Sequence, residues 1–293
     1  MTDLQQRARE VIKACPEWYH SIELAPGVVT PGRRPLQDWE EELRKLRLPD
    51  LHGKSVLDIG AYDGFFSFAA ERLGASRVTS LDHYVWFTDM VAAMKDWRES
   101  CRTGTPLPPL DESPHWRPAE LPGRRPFDAA RALLGSRVEP VVGDFMKMDL
   151  TSLGRFDVVL FLGVLYHLEE PLHAMRRVAS VTAPGGLAVI ETEAMEILGL
   201  RDTAFCEFFP SGELNHDPSN WWAPNGKALE GFCRAAGFRE VTLLSEPPLR
   251  TGLGALIRLI GRSRVFPKRL SNRVGANSHP LRVRYRAIAQ ARR

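Results

Sequence analysis

The feature that most constrains the fold is the stretch KSVLDIGAYDG at residues 54–64. Residues 54–60 predict a buried strand, because they are rich in apolar and β-branched side chains. After Gly64 the pattern FFSFAAERLG predicts a helix that ends at Gly74. A strand that enters a helix through a glycine turn often holds a ligand, frequently a phosphate, so the first question is which ligand this turn holds.

Further strand patterns alternate with helical patterns along the rest of the chain. The additional predicted strands lie at residues 77–82, 136–144, 156–163, 185–193, 238–246 and 281–291. Helices are predicted between them at 171–183, where Pro171 suits the first helical position, and at 228–237. This alternation predicts an α/β fold with a Rossmann-like seven-stranded mostly parallel sheet and helices on both faces.

The remaining segments predict how the chain is organised around that sheet. Residues 1–50 are expected to form an N-terminal helical or cap segment, and residues 51–293 one domain with insertions at about 84–135, 195–225 and 247–280. The Pro-rich part of the first insertion predicts a long ordered loop or lid. Ligands of open α/β sheets bind outside the carboxyl ends of the strands, and two insertions leave such ends. These insertions are therefore expected to build a substrate pocket.

Two acids, Asp58 before the turn and Asp63 within it, argue against a phosphate ligand. Carboxylates repel a pyrophosphate, and the turn lacks the third glycine of the dinucleotide fingerprint, which disfavours a dehydrogenase. S-adenosyl-L-methionine fits better, because it carries a sulfonium, an α-amino group and a ribose diol. Gly60 lets the backbone approach this ligand, and Asp58 is placed to accept a hydrogen bond from the amino group, directly or through water.

Two more acids end successive predicted strands. Asp82 is placed to accept hydrogen bonds from both ribose hydroxyls, and Asp144 from the adenine amine, with Phe145 beside the ring. Any one of these acids alone can equally be a helix cap or a turn residue. Three acids at the ends of successive strands, together with the glycine turn, favour a site for the sulfonium nucleoside.

Charge and cysteine content bear on partners and location. Residues 247–293 contain 12 of the 39 Lys and Arg residues and no Asp or Glu, so the rest of the chain is net acidic. A basic C-terminal region can bind an anionic partner such as RNA, but it can equally be a solvated surface. Four scattered cysteines without a CxxC pair predict reduced thiols in a cytoplasmic protein and no metal cluster. No stretch is long and apolar enough to predict a membrane span.

Five motifs together resemble the class I S-adenosylmethionine-dependent methyltransferases over about residues 50–245. They are DIGAYDG at 58–64, LDH at 81–83, GD at 143–144, FDVVLFLGVLYHLEEP at 156–171 and PGG at 184–186. The resemblance implies the fold, S-adenosyl-L-methionine as cofactor, and a cofactor site formed by residues at the strand ends. Those residues are Asp58, Gly60, Ala61, Tyr62, Gly64, Asp82, His83, Gly143, Asp144, Phe145, Leu162 and Gly163.

Two segments point to one branch of that superfamily. GVLYHLEEPLHAM at 163–175 and WYHSIELAPGVVTPG at 18–32 resemble the enzymes that install the oxyacetyl group of tRNA wobble uridine, and relatives of those enzymes. In the wobble-uridine enzymes the tyrosine of the first motif, matched here by Tyr166, helps to hold the carboxyl group of a carboxylated donor. A lysine before the first strand and an arginine near the C-terminus act with that tyrosine.

These two further residues are not clearly matched here. Lys45 is a weak match for the lysine, and Arg282, Arg284 and Arg286 compete for the arginine. The missing lysine favours ordinary methyl transfer over carboxymethyl transfer. The long Pro-rich insertion after Asp82 favours an acceptor smaller than tRNA.

His167 and Tyr166 are the candidate catalytic residues. His167 follows the fourth core strand, where acceptors dock in this fold, and an imidazole that titrates near neutral pH can act as a general base. It can equally be a structural histidine that bonds the backbone. Tyr166 is expected either to shape the pocket of the methyl group or to serve only in packing.

Candidate substrate-binding residues lie in three separate segments. The loop NHDPSNWWAPN at 215–225 combines aromatic walls with polar tips, although its tryptophans can also simply cover the core. Carboxylates at the end of the fifth strand can orient an acceptor or form a solvated rim. The predicted set is Trp18, His20, Glu191, His216, Trp221 and Trp222. His216 and Asp217 can form an acid–base pair or, as the weaker alternative, two metal ligands. No other His and Asp spacing points to a metal, so none is predicted.

Three functions remain open at this point. The first is a methyltransferase acting on an O- or N-nucleophile of a small metabolite or natural product. The second is a tRNA wobble-uridine methyl- or carboxymethyltransferase that uses the basic C-terminal region to bind tRNA. The third is a non-catalytic protein that binds the donor. The sequence predicts no membrane partner and does not give the oligomeric state.

Overall fold

The computed structural model describes residues 2–15, 17–197, 200–247 and 282–293. The strands within this part of the chain are β1 (Glu23–Ala25), β2 (Val28–Val29), β3 (Ser55–Ile59), β4 (Arg77–Asp82), β5 (Glu139–Val142), β6 (Phe156–Leu162), β7 (Thr182–Ile197), β8 (Cys206–Phe208), β9 (Trp222–Pro224), β10 (Glu240–Leu243) and β11 (Arg282–Arg292). Seven of them form one sheet in the order β10-β11-β7-β6-β3-β4-β5.

The sheet is mostly parallel, as the alternating pattern predicts. Strands β3 to β7 run in the same direction, and β11 lies antiparallel between β7 and β10. The predicted fold class is therefore confirmed. Because parallel strands end at the same edge, the segments that follow β3, β4, β5, β6 and β7 meet there. This edge carries the candidate site.

Helices cover both faces of the sheet. They are α1 (Asp3–Ala14), α2 (Leu36–Lys45), α3 (Phe65–Arg72), α4 (Tyr84–Phe87), α5 (Met90–Thr103), α6 (Arg125–Leu134), α7 (Pro171–Val181) and α8 (Gly226–Ala235). On one face Val56 and Val158 belong to the hydrophobic cluster that includes residues of α3 and α6. On the other face Leu57 and Val159 pack with residues of α7 and α8. Neighbouring strand residues point to opposite faces, which is why apolar side chains follow one another in these strands.

The N-terminal segment packs on the same face as α3 and α6. Ala8 of α1, Leu24 of β1 and Trp39 of α2 belong to one buried cluster with Val56 of β3. Helix α1 begins with a capping box in which Thr2 and Gln5 bond each other's backbone. The segment thus holds two helices and a short hairpin. The division into residues 1–50 and 51–293 as separate units stays a prediction.

The first insertion, at about 84–135, is mostly helical. It contains α4, α5 and α6. Asp89 caps the N-terminus of α5, where its side chain accepts a hydrogen bond from the Ala92 amide, and Gly104 caps the C-terminus in a left-handed conformation. The prolines of this insertion are concentrated between α5 and α6. The Pro-rich part itself, between the two helices, is an irregular connection with short 3₁₀ turns.

The second insertion begins later than its sequence pattern predicts. Strand β7 continues to Ile197, and the segment beyond it forms a small antiparallel ribbon of β8 and β9. The third predicted insertion, at about 247–280, lies outside the described residues except at its first position. Within the described ranges, no helix is both long and apolar enough to cross a membrane.

Candidate active site

The turn after β3 is shaped for glycine at both ends. Gly60 has a φ of +79°, and a Cβ at this position would lie 2.4 Å from Cγ2 of Val164. Gly64 has a φ of +87°, and a Cβ there would meet the ring of Phe68 at 2.6 Å. The amide of Gly60 donates to the Leu81 carbonyl at 2.8 Å, which ties the turn to β4. Both predicted glycines are therefore required by close contacts as well as by backbone angle.

Asp58 is anchored below the turn. Its side chain is 2% exposed and accepts a hydrogen bond of 2.6 Å from the Ser67 hydroxyl on α3. Ser67 in turn accepts from the Ser80 hydroxyl of β4 at 2.6 Å. Burial raises the pKa of Asp58 to about 6. This chain of hydrogen bonds fixes β3, α3 and β4 relative to one another, and the predicted contact of Asp58 with a ligand amine stays a prediction.

Asp82 ends β4 beside the turn, as predicted. One carboxylate oxygen accepts from the Tyr62 amide at 3.0 Å and the other from the Val85 amide at 3.1 Å. Burial raises the pKa of Asp82 to about 6. Each oxygen of an ionised carboxylate has a second acceptor position. The side chain is thus held rigidly by the backbone and retains capacity to bind a diol.

The residues after β5 lie next to Asp82. The Gly143 amide donates to the Asp82 carbonyl at 3.2 Å. Oδ2 of Asp144 lies 3.8 Å from Nε2 of His83, and its Oδ1 accepts from the Met146 amide at 2.8 Å. Burial lowers the pKa of His83. The structure therefore brings together the predicted residues at the ends of β4 and β5.

Other predicted cofactor residues occupy the same edge or support it. Phe145 is 5% exposed and packs in the cluster on the α7 and α8 face, with Phe161 at 5.9 Å between ring centroids. The remaining ones follow or end β3 and β6, namely Ala61, Tyr62, Leu162 and Gly163. Tyr62 has a left-handed backbone, with a φ of +52°, and its ring stacks on Tyr19 at 4.6 Å. Burial raises the pKa of Tyr62, so its phenol stays neutral.

Asp63 faces inward and joins the N-terminal segment to the turn. Its carboxylate is fully buried and accepts from the amides of Tyr19 at 2.9 Å and His20 at 2.7 Å. The same carboxylate contacts Nδ1 of His20, whose ring stacks on Phe65. The two predicted substrate residues of this segment, Trp18 and His20, are 5% and 6% exposed. Direct contact of either side chain with a docked acceptor would need the segment to move.

A second group of polar side chains surrounds Gly163, at the end of β6. A Cβ on Gly163 would lie 3.5 Å from Nη2 of Arg286, 3.6 Å from the Tyr166 hydroxyl and 3.9 Å from Oε2 of Glu191. Burial raises the pKa of Tyr166, which keeps its phenol protonated. The guanidinium of Arg286 lies over the Tyr166 ring at 5.1 Å. Three segments far apart in sequence thus converge on one point at the edge of the sheet.

Arg286 is bound by two carboxylates. Its Nη2 lies 2.6 Å from Oε2 of Glu191, its Nε contacts the other oxygen of that residue, and its Nη1 lies 2.9 Å from Oε1 of Glu193. Burial acts to lower the pKa of Arg286, but the charge of Glu191 prevails and raises it well above the ordinary value. Glu193 also accepts from the Asn215 side chain at 3.0 Å. This carboxylate–arginine cluster, made of Glu191, Glu193 and Arg286, carries a net charge of about −1 when all three are ionised.

The structure separates the residues that compete for the lysine and arginine roles. Arg286 lies beside Tyr166, whereas Arg282 pairs with Glu207 at 2.6 Å. Lys45 lies on α2, where it pairs with Glu41 and Glu42 at 3.2 Å each. Of the candidate cations, Arg286 is therefore the one that the structure places against Tyr166.

His167 contacts the predicted loop at 215–225. Its Nδ1 lies 3.1 Å from the Ser219 carbonyl oxygen and 2.9 Å from the Ser219 hydroxyl. Burial lowers the pKa of His167, and the charge of Asp217 opposes that effect. A carbonyl oxygen can only accept, so Nδ1 carries the proton and a neutral imidazole has its lone pair on Nε2. His167 thus has both a structural hydrogen bond and a nitrogen able to take a proton.

The loop is fastened to the segment after β6 by further hydrogen bonds. The Trp221 amide donates to the Tyr166 carbonyl at 2.9 Å, and the Trp222 indole donates to the Leu168 carbonyl at 3.0 Å. Both tryptophans are partly buried, whereas His216 is exposed and has a left-handed backbone. The structure thus places this loop at the site through its backbone, Ser219 and its indoles, and leaves His216 on the surface.

Sequence reasoning missed Tyr19 and Ser219. Tyr19 stacks on Tyr62 in the turn after β3, and Ser219 bonds the candidate base. A short Asp-Pro-Ser sequence within an already suspected loop was the available signal for Ser219. Among the described residues, no group of three or more His, Cys, Asp or Glu side chains is arranged to hold a metal ion.

Comparisons with known proteins agree with this geometry. The family described as a methyltransferase domain matches residues 32–243. The chain is 25% identical over 211 residues to the tRNA U34 carboxymethyltransferase of Chromohalobacter salexigens, covering 72% of this chain and 52% of that protein. It is 24% identical over 220 residues to the tRNA U34 carboxymethyltransferase of Desulfotalea psychrophila, covering 72% and 55% respectively. The chain therefore spans about half the length of these curated relatives.

Solved structures show the same fold. The N-terminal domain of EvdMO1, crystallised in the presence of SAH and D-fucose, is 17% identical, with a TM-score of 0.55 over 100% of this chain and 97% of that one. The same domain with SAH bound is 16% identical, with a TM-score of 0.55 over 100% and 98% of the two chains. At this level of identity the likeness concerns the arrangement of helices and strands.

Proposed function

Because this chain belongs to the methyltransferase domain family, we propose that it is an S-adenosylmethionine-dependent methyltransferase that methylates an oxygen or nitrogen atom of a small acceptor. The observation that carries this proposal is the carboxylate–arginine cluster beside Tyr166. Carboxymethyl transfer needs a donor with an additional carboxylate. An arginine already bound by two carboxylates is a poor partner for a third, so the cluster favours methyl transfer.

The residues at the edge of the sheet fit S-adenosylmethionine. Gly60 gives the turn after β3 a bare backbone that a ligand can approach, and Asp82 offers two acceptor oxygens at the end of β4. Asp82 would hold the ribose hydroxyls, and Asp144 the adenine amine. The bound cofactor supplies a methyl group made electrophilic by the adjoining sulfonium. Its amino group would meet the turn above Asp58.

His167 supplies the acid–base chemistry in this proposal. Its Nε2 lone pair removes the proton from the acceptor hydroxyl or amine as the methyl group is transferred. The new bond joins the methyl carbon to the acceptor oxygen or nitrogen, and the electron pair of the broken carbon–sulfur bond stays on sulfur. The proton on His167 then passes to solvent. Tyr166 is protonated and borders the same space, where it orders the acceptor by hydrogen bonding.

A second candidate function is the modification of tRNA wobble uridine. It is favoured by the names of the curated relatives and by the position of Arg286 beside Tyr166. The net negative charge of the carboxylate–arginine cluster opposes it, because a polyanion must be drawn to the site by positive charge. The basic stretch that would bind tRNA lies largely outside the described residues. A cytoplasmic location also stays a prediction.

The acceptor class is tested by following labelled methyl groups. The protein is incubated with methyl-labelled S-adenosylmethionine and either bulk tRNA or the low-molecular-mass fraction of a cell extract. We expect label in a small product and none in tRNA, and no label in either with the His167→Gln variant. Label in tRNA would support the second function and overturn the proposal. Label in neither fraction, despite donor binding, would indicate a protein that binds the donor without transferring its methyl group.

A further inference from the structure

We propose that Asp217 and Ser219 are positioning residues that fix the protonated nitrogen of His167 and stabilise the imidazolium formed during methyl transfer. The inference deepens the proposed function and relies on its assignment of His167 as the base. Neither residue is expected to touch the donor or the acceptor. Both belong to the loop between β8 and β9, which the hydrogen bonds of Trp221 and Trp222 fasten to the segment after β6.

Ser219 determines which ring nitrogen of His167 carries the proton. Nδ1 of His167 is within hydrogen-bond distance of two oxygens of Ser219, at 3.1 Å from the carbonyl and 2.9 Å from the hydroxyl. The carbonyl oxygen cannot donate, so this contact is favourable only when Nδ1 bears hydrogen. The opposite tautomer would place two lone pairs against each other. Ser219 therefore selects the tautomer whose Nε2 can accept a proton.

Asp217 determines the group to which the Ser219 hydroxyl donates its hydrogen bond. Oγ of Ser219 lies 2.6 Å from Oδ1 of Asp217, and an ionised carboxylate only accepts. The hydroxyl therefore donates to Asp217 and turns its lone pairs toward Nδ1 of His167. Donors and acceptors thus alternate in one direction along the chain His167–Ser219–Asp217.

Charged side chains around His167 influence the stability of its imidazolium form. The charged groups that act on His167 are Asp217 and Glu193, which favour the imidazolium, and Arg286, which opposes it. Arg286 is itself neutralised by Glu191 and Glu193. Burial disfavours a charged ring, and Asp217 gives the largest opposing contribution. The carboxylate therefore stabilises the positive charge that the ring acquires when Nε2 takes a proton, acting through the Ser219 hydroxyl.

The local turn that presents Ser219 has a matched control elsewhere in the chain. Asp217 accepts from both the amide and the hydroxyl of Ser219, at 2.9 Å and 2.6 Å. Asp149 makes the same turn with Thr151, at 2.9 Å from the amide and 2.8 Å from the hydroxyl. Asp149 is exposed and follows β5. Its substitution perturbs the same kind of turn without altering the hydrogen bonds of His167.

The test reads the tautomer and the titration of His167 directly by ¹⁵N NMR of the histidine-labelled full chain with S-adenosylhomocysteine added. The chain has 8 histidines, and the signal missing from His167→Gln identifies the ring. We expect hydrogen on Nδ1 in the unmodified protein and in Asp149→Asn. In Asp217→Asn the carbonyl contact also remains, so we expect hydrogen to stay on Nδ1 and the titration midpoint to move to lower pH, because the charge that favours the imidazolium is lost. Ser219→Ala keeps the carbonyl contact, so hydrogen should stay on Nδ1. The titration midpoint of His167 should fall by less in this variant than in Asp217→Asn.

Methyl transfer to a small acceptor, once one has been found, provides a second test. Asp217→Asn should lower kcat by roughly 10- to 100-fold and move the acid limb of its pH profile to lower pH, with KM little changed. Hydrogen on Nε2 in the unmodified protein, or an Asp217→Asn spectrum like that of Asp149→Asn, would overturn the inference. If His167→Gln retains full activity while the tautomer is as stated, the proposed base is wrong but the positioning of the ring stands.

Discussion

Substitution of His167 by glutamine is expected to lower kcat for methyl transfer by about 10²- to 10⁴-fold while leaving the affinity for S-adenosylhomocysteine unchanged. Glutamine retains polar atoms of similar reach but cannot take a proton at neutral pH. The ring lies after β6, on the acceptor side of the site, whereas the groups assigned to the donor follow β3, β4 and β5. The loss should therefore be in the chemical step and not in donor binding.

The same motif offers a control for this experiment. His173 lies six residues further along, on α7, and its side chain is exposed. His173→Gln should have the kcat and the pH profile of the unmodified protein. Product formation is measured with saturating donor, and donor affinity by calorimetry. Unchanged kcat in His167→Gln would show that the acceptor loses its proton without this ring, as happens when the nucleophile is already deprotonated or when solvent takes the proton.

Substitution of Asp63 by alanine is expected to lower the free energy of unfolding by about 3–5 kcal/mol. The carboxylate is fully buried and accepts from the amides of Tyr19 and His20 and from the His20 ring. Its removal leaves these donors inside the protein without partners. It also releases the N-terminal segment from the turn after β3, which is the proposed donor site. S-adenosylhomocysteine binding should therefore weaken as well.

Asp157 provides the comparison for this stability effect. It also joins two chain segments, by accepting from the amide and the hydroxyl of Ser55 at 2.8 Å and 2.7 Å, but it lies at the surface. Water can replace these bonds, so Asp157→Ala should lose no more than about 1 kcal/mol. Denaturant unfolding of both variants measures the difference. A loss from Asp63→Ala as small as that from Asp157→Ala would show that the contacts of Asp63 do not secure the segment.

The sequence predicted the sheet and the acids at its edge for one physical reason. The apolar runs form the strands, and the acids Asp58, Asp82 and Asp144 stand at or near the ends of those strands. Because parallel strands end at the same edge, one-dimensional spacing was enough to bring these acids together in space. The hydrogen bonds from the Tyr62 amide to Asp82 and from the Gly143 amide to its carbonyl confirm that proximity.

Contacts between distant segments could not be predicted in this way. Arg286 meets Glu191 across 95 positions because β11 runs antiparallel to β7 in a register that the sequence does not reveal. His167 meets Ser219 across 52 positions through an irregular loop. The inward orientation of Asp63 was equally hidden, because a turn residue can face ligand or core. Helices α5 and α6 were not assigned from the sequence, whereas the Pro-rich part between them was expected to be a loop.

The two halves of the sheet edge carry different kinds of side chain. The ends of β3, β4 and β5 carry carboxylates held by backbone amides, which suit the hydroxyl and amino groups of the donor. The ends of β6 and β7 carry His167, Tyr166 and the carboxylate–arginine cluster, which suit an uncharged or cationic acceptor. We therefore expect separate substitutions to alter donor binding and acceptor chemistry.

We propose that the donor binds at the ends of β3, β4 and β5, with Asp82 as its main polar contact. Calorimetric titration with S-adenosylhomocysteine tests it most directly. The unmodified chain should bind the ligand at a single site, and Asp82→Ala should bind it at least about 10-fold more weakly, because hydrogen bonds to a charged group are lost. Asp82→Asn, which keeps an acceptor oxygen, should lie between them, and exposed Asp128→Ala on α6 should match the unmodified chain. Equal affinity of Asp82→Ala and the unmodified chain, or no binding by either, would contradict the account.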